Sequence, residues 1–465
     1  MRKLFFVPPM IKIMPFQYLM GLLLAGGLAF FASCSLETAE EPSEYRKATE
    51  VALAWNHLAL DLERHTKGYR PPVTARMFAY VEMAAYEAAL PGMPGHISLD
   101  IYFPGYQKPD TKFEAGQFYL PAGINAAYAQ MLRNFFPTAP EHLQQTIDKL
   151  EEKYVQESNM QVARTQVEQS AAFGRRVAAG VWNWAKSDQI GHEGHLSNYD
   201  DNYQPPVCKG CWAPSGDHTS PALLPYWGQV RPFFPGNLDI KLKNPVEYVE
   251  TPGSDFYAEA MEVFSVSKPL SKENIWIAEF WSDDFPGLTL TPSGRWISIA
   301  NQAFEKSQPP FPLLMETYLK MSIALCDAGI LVWKNKYQFN LERPDTYIRK
   351  HIDPSWKALH DTPPFPAYPS GHAAFGAAAA EILADALGRS FQLTDRTHEN
   401  RPEFESAPRG YESFEEMARE NAASRVLLGV HYRMDCEEGM RLGKIIGQKM
   451  AALPLQRKEA GLLGK

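Results

Sequence analysis

Little in this chain of 465 residues is suited to binding polyanions or to spanning a membrane repeatedly. Acidic residues outnumber basic ones 54 to 46, for a formal net charge of -8. That excludes the broadly cationic surface on which nucleic-acid backbone binding depends, so any anion site has to be a local cluster. Cysteine is scarce, at 5 residues, which rules out a disulfide scaffold. Alternating runs of β-branched residues are rare, and neither internal repeats nor low-complexity tracts occur. With 45% hydrophobic and 22% charged residues, the composition is that of a folded globular protein with a sizeable core.

The one long apolar run, Tyr18 to Phe31, lies behind Arg2, Lys3 and Lys12 and ahead of Ala32-Ser33-Cys34. A basic start, a greasy centre and small residues make a secretory signal, expected over 1–33. Cys34 resembles the acylated cysteine of bacterial lipoproteins, although Phe31 departs from the usual aliphatic residue. Residues 34–45 then read as a tether, and the chain is expected to be exported to the periplasm or outer surface, meeting a membrane only through a lipid at Cys34.

Beyond this leader, apolar residues recur at three- and four-residue spacing, as in Met77, Tyr80, Val81, Ala84 and Ala88. This predicts helices over 43–66, 73–90, 121–136, 141–155, 160–187, 255–283, 311–337, 372–388, 413–429 and 435–453, an all-α fold. Proline crowds the stretch 200–245, predicting an ordered loop that divides an N-terminal sub-bundle (46–235) from a C-terminal domain (236–455). Cys208 and Cys211 within that loop are candidates for a small disulfide, whereas Cys326 and Cys436 read as buried thiols.

Three patterns in the last third carry chemistry. Lys336 and Arg343 are seven residues apart, two turns on one face if the helix runs on to Pro344. Pro369-Ser370-Gly371-His372 closes a proline-rich loop and opens a helical run, which sets the Ser370 hydroxyl and Gly371 amide at a helix N-terminus, where anions are favoured. Ser424-Arg425 is followed by His431 and Asp435, the aspartate one turn beyond the histidine if helix resumes after Gly429, where it would fix the imidazole tautomer. Taken singly, each pattern equally describes a helix cap, a solvated cationic face or a structural hydrogen bond.

Together, and in this order, they resemble the signature of the vanadium haloperoxidase and type 2 phosphatidic acid phosphatase superfamily. The resemblance implies a helical-bundle fold in which Lys336, Arg343, Ser370, Gly371 and Arg425 hold the oxygens of vanadate or phosphate. It makes His431 the axial ligand of vanadium or the nucleophile toward phosphorus, His372 the acid-base residue, and Asp435 the orienting carboxylate. Trp333 and Phe365 resemble pocket aromatics of the chloroperoxidase branch. Trp281 and Trp296, in segments resembling the long bacterial haloperoxidases, are equally readable as core. Arg295 stands where the resemblance leads to histidine, a departure expected to alter the pocket rim. The implied activity is oxidation of halide by hydrogen peroxide on vanadate. The alternatives are an exported phosphatase acting on a phosphate ester through phosphohistidine, and a non-catalytic lipoprotein that binds glycans or peptides through its ten tryptophans.

Overall fold

The computed structural model describes residues 41–110, 113–114, 116–214, 220–268, 270–401 and 407–457. The expected signal segment, and with it Cys34, lies outside the described residues. From Glu41 onward the chain forms one compact unit.

Fourteen α-helices lie among the described residues: α1 (Ser43–His65), α2 (Pro71–Ala89), α3 (Leu120–Phe135), α4 (Glu141–Asn159), α5 (Arg164–Lys186), α6 (Gln189–Glu193), α7 (Asp255–Val266), α8 (Lys272–Phe280), α9 (Pro292–Ser307), α10 (Phe311–Phe339), α11 (Pro344–His351), α12 (Gly371–Leu387), α13 (Phe414–Leu427) and α14 (Arg433–Ala451). Two short antiparallel strands, β1 (Leu393–Asp395) and β2 (Arg409–Tyr411), pair Asp395 with Arg409. The architecture is all-α, as the periodicity predicts.

The expected helix over 255–283 is two helices, α7 and α8, each opened by a serine whose hydroxyl accepts an amide, Ser254 from Tyr257 and Ser271 from Asn274. Such N-caps fix where a helix starts whatever the apolar spacing around it. Three further helices, α6, α9 and α11, lie outside the predicted stretches. The last two begin with proline at the first turn, α9 behind the cap Thr291 and α11 behind Arg343. The proline supplies φ without needing an amide partner.

At the centre run α2, buried on every face, and the 29-residue α10, most of which is buried. A helix apolar all round has to be wrapped by others, and α10 packs against α2, α12 and α14. The most extensive helix pairing is between α12 and α14. A Cβ added at Gly439, Gly443 or Gly447 would fall 2.4, 2.1 and 2.6 Å from the carbonyl oxygens of Ser370, Ala374 and Ala378. Glycines four residues apart thus lay the backbone of α14 directly on α12. That contact sets the start of α14, with Asp435, beside the start of α12, with Ser370, whose amide donates to the Asp435 carbonyl at 2.9 Å.

Candidate active site

The three sequence patterns meet around one cavity of about 220 Å³, lined among others by Trp333, Phe365, Gly371, His372, Arg425 and His431. Lys336, Arg343 and Ser370 are fully buried behind this lining, Arg343 against His431 and Lys336 beneath Phe365.

The route to this convergence differs from the helical reading in two places. Helix α10 stops at Phe339, because Asn340 turns left-handed (φ 47°) and returns its amide to the Lys336 carbonyl. Arg343 is therefore not two turns along the same helix but the N-cap of α11. Likewise α13 ends at Leu427, Gly429 takes φ 82° and α14 begins at Arg433, so His431 sits in the connection and not on a helix. Asp435 still reaches it: as the third residue of α14 it accepts from His431 Nδ1 at 2.9 Å and from the Tyr432 amide at 3.0 Å. The carboxylate is thus both a helix cap and the partner of the imidazole.

The cations are tied down by backbone carbonyls. Lys336 Nζ donates to Pro366 and Ala367 oxygens at 3.0 and 2.8 Å, and Arg343 donates to Phe365 O at 3.0 Å and Val430 O at 2.7 Å. Arg343 Nη1 lies 3.0 Å from His431 Nε2. With Nδ1 bound to a carboxylate, the lone pair at Nε2 is the one offered to Arg343 and to the cavity. Arg425 Nη1 donates to Trp281 O at 3.0 Å. Phe365 lies under both Lys336 and Arg343, their charged ends 5.1 and 4.9 Å from its ring centre, and Trp333 packs on it at 5.1 Å. Ser370 caps α12 by accepting from the Ala373 amide at 3.4 Å.

Burial and the neighbouring cations Arg343 and Arg425 disfavour charge on Lys336, with Asp435 acting against them. Burial first, then Arg343, holds Lys336 well below the ordinary lysine range. Burial likewise depresses His431 and His372 far below the usual imidazole value, with Arg343, Lys336 and Arg425 adding to it. Against the pull of Lys336 and Arg343, burial pushes Asp435 up to about 7. Arg343 Nη2 and Arg425 Nε are buried donors without a hydrogen-bond partner, the arrangement an oxyanion completes, and His372 Nε2, likewise unpartnered, offers a lone pair because the other ring nitrogen donates to the Asp283 carbonyl. A Cβ at Gly371 would meet the Trp333 ring at 3.4 Å, an ordinary packing contact.

Cys208 and Cys211 are paired, their Cα atoms 5.2 Å apart, and Cys326 and Cys436 are buried free thiols. Trp281 and Trp296 stack on each other in the core. Arg295 is not at the pocket rim. It is wholly buried, bound through Nε and Nη2 to Asp395 at 3.2 and 2.9 Å, with Nη1 3.6 Å from Asp283.

Asp283 and Asp284 were missed from the sequence, because the stretch before them was read as one helix. Both line the cavity. The Asp283 carbonyl accepts a hydrogen bond from the His372 ring, and burial pushes its carboxyl up to about 7 despite Arg295 and Arg425. Asp284 pairs with Arg70 at 2.8 Å. The signal for them was the acidic pair directly after Trp281-Ser282.

Residues 316–457 match the family model described as the second helical-bundle domain of vanadium chloroperoxidase. Over those residues the chain carries a domain of that kind. It is 25% identical to the vanadium chloroperoxidase of Curvularia inaequalis, over 85% of this chain and 80% of that protein. Among solved structures, that of the first bacterial vanadium-dependent iodoperoxidase superposes with a TM-score of 0.77 at 27% identity, covering 88% of this chain and 98% of the other. A holo-type bacterial vanadium-dependent chloroperoxidase shares the fold, with a TM-score of 0.63 at 17% identity over 83% and 92%.

Proposed function

We propose that this chain is a vanadate-dependent haloperoxidase, oxidising halide with hydrogen peroxide. The observation that carries the reading is the buried meeting of Lys336, Arg343 and Arg425 around His431, whose Nδ1 is held by Asp435 and whose Nε2, 3.0 Å from Arg343 Nη1, would be the atom that meets vanadate. The similarity to proteins titled chloroperoxidase and iodoperoxidase supports it.

The unpartnered donors of Arg343 and Arg425 fit a tetrahedral oxyanion. Lys336, Arg343, Arg425, Ser370 and the Gly371 amide would hold the oxygens of vanadate, and His431 Nε2 would be its protein ligand. When bound, vanadate supplies a Lewis-acidic centre in a high oxidation state that polarises peroxide. His372, kept neutral by burial and by Arg425, can take the proton that peroxide gives up. The Asp283 carbonyl fixes the direction of that ring. Asp435 holds the tautomer of His431 that offers Nε2. Phe365 and Trp333 shield the cations from water, which strengthens their hold on charge. Export through the leader at 1–33 and anchoring at Cys34 belong to the same proposal.

The test is reconstitution with orthovanadate followed by assay of iodide, bromide and chloride oxidation with peroxide, read as halogenation of a phenol or diketone. The expected result is vanadate-dependent halogenation that excess phosphate suppresses. Hydrolysis of an aryl phosphate, inhibited by vanadate and without halogenation, would instead establish the phosphatase reading.

A further inference from the structure

The connection between Lys336 and Arg343 decides how far apart two of the pocket cations stand, and it is held from outside by the small loop that Cys208 and Cys211 close. The Trp212 amide donates to Asn340 O at 2.7 Å, the Glu342 amide to Gly210 O at 2.9 Å, and Asn340 Nδ2 to Trp212 O at 3.4 Å. Between these bonds Cys211 and Leu341 pair as an antiparallel bridge. From the other side the Ala367 amide donates to Leu341 O at 2.9 Å, and the Ala367 carbonyl is the acceptor of Lys336 Nζ. Residues 340–342 are therefore gripped between the cysteine loop and the segment that receives both cations.

The grip is built for close contact. Gly210 takes φ 73°, and a Cβ there would fall 2.4 Å from the Tyr248 ring. The Tyr248 hydroxyl in turn donates to Glu342, the neighbour of Arg343, at 2.9 Å. Trp212 is buried, whereas Cys208 is exposed and Cys211 half-buried. A dithiol can thus reach the sulfur pair while the tryptophan stays anchored.

We propose that the Cys208–Cys211 disulfide is a positioning clamp for the oxyanion pocket, and that reducing it lowers the affinity of the pocket for tetrahedral oxyanions. In the reduction the sulfur–sulfur bond breaks and two electrons and two protons from a dithiol yield two cysteine thiols, the dithiol becoming a disulfide. Released from its cross-link, the proline-rich loop regains conformational freedom, and its hydrogen bonds to residues 340–342 no longer outweigh that entropy. Lys336 and Arg343 repel each other, so a slack connection lets them separate from their shared ligand. The clamp needs only the oxyanion pocket, not peroxidase chemistry.

Inorganic phosphate is the probe, titrated by calorimetry into the full chain before and after dithiothreitol, with mass analysis showing the two added hydrogens. The clamp predicts an affinity loss of about tenfold, equivalent to about 1.4 kcal/mol, reversed on reoxidation and reproduced in a Cys208→Ser, Cys211→Ser double variant. Gly210→Ala, which keeps the disulfide but pushes on Tyr248, is expected to lose affinity in the same direction and decides the matter if reduction unfolds the protein. Phosphate affinity unchanged to within about twofold in the reduced protein, or in Gly210→Ala if reduction unfolds it, overturns the clamp and leaves the pocket intact. No phosphate binding by the oxidised protein contradicts the pocket, and the clamp with it.

Discussion

His431 and Asp435 show how one carboxylate serves fold and chemistry together. Asp435 caps α14 through the Tyr432 amide and binds His431 Nδ1 with the same oxygen. Replacing it by asparagine keeps a cap acceptor but removes the charge that favours the working tautomer. Asp435→Asn is therefore expected to fold and to bind vanadate about 10- to 100-fold more weakly, measured by activity against vanadate concentration. His431→Ala, which removes the axial atom itself, is expected to cost on the order of a thousandfold or more in turnover. The depressed Lys336, His372 and His431 make a further prediction at this scale. An arriving anion favours their charged forms, so binding of phosphate takes up protons. Calorimetry in buffers of different ionisation enthalpy measures that uptake, and a binding enthalpy independent of buffer would contradict it.

The site residues were legible because their chemistry is local: a serine-glycine pair at a helix start, cations before a proline, a histidine four residues from an aspartate. The elements between them were less so. The spacing of Lys336 and Arg343 reads as two turns of one helix, yet Asn340 and Pro344 break and restart the chain, and the cations converge through the break. Arg295 could not be placed from its neighbours, since its partner Asp395 lies 100 residues away on β1. Nor could the glycines of α14 be understood before α12 was seen beneath them. There a prediction belongs to the element: Gly443→Ala puts a Cβ 2.1 Å from the Ala374 carbonyl and forces α14 off α12. It should cost about 1–3 kcal/mol of stability, read by denaturant unfolding. It should also weaken phosphate binding although residue 443 does not line the cavity.

Across the whole molecule, the core holds acids that folding keeps neutral. Burial raises Glu82 from 4.5 to about 7, opposed by its hydrogen bond from Tyr128, and raises Glu63 and Glu87 to about 8 and about 7. A raised carboxyl contributes its stability in full at acid pH, below the unfolded value. That contribution is lost as pH climbs from about 4.5 through the folded value, because the unfolded chain ionises first. Glu82→Gln, which keeps an acceptor for Tyr128, should flatten the decline of stability between pH 5 and 7.5 by on the order of 3 kcal/mol. Melting curves across that range measure it, and an equal slope in both proteins would contradict it.

All three scales come together in the claim that the last third of the chain folds a cage for one tetrahedral ion whose axial partner is His431. Diffraction from crystals grown with orthovanadate, recorded at the vanadium absorption edge, tests this most directly. A single anomalous peak is expected at coordination distance from His431 Nε2, with Lys336, Arg343 and Arg425 around it. A peak elsewhere, or a cage that stays empty while vanadate binds at the surface, would contradict it.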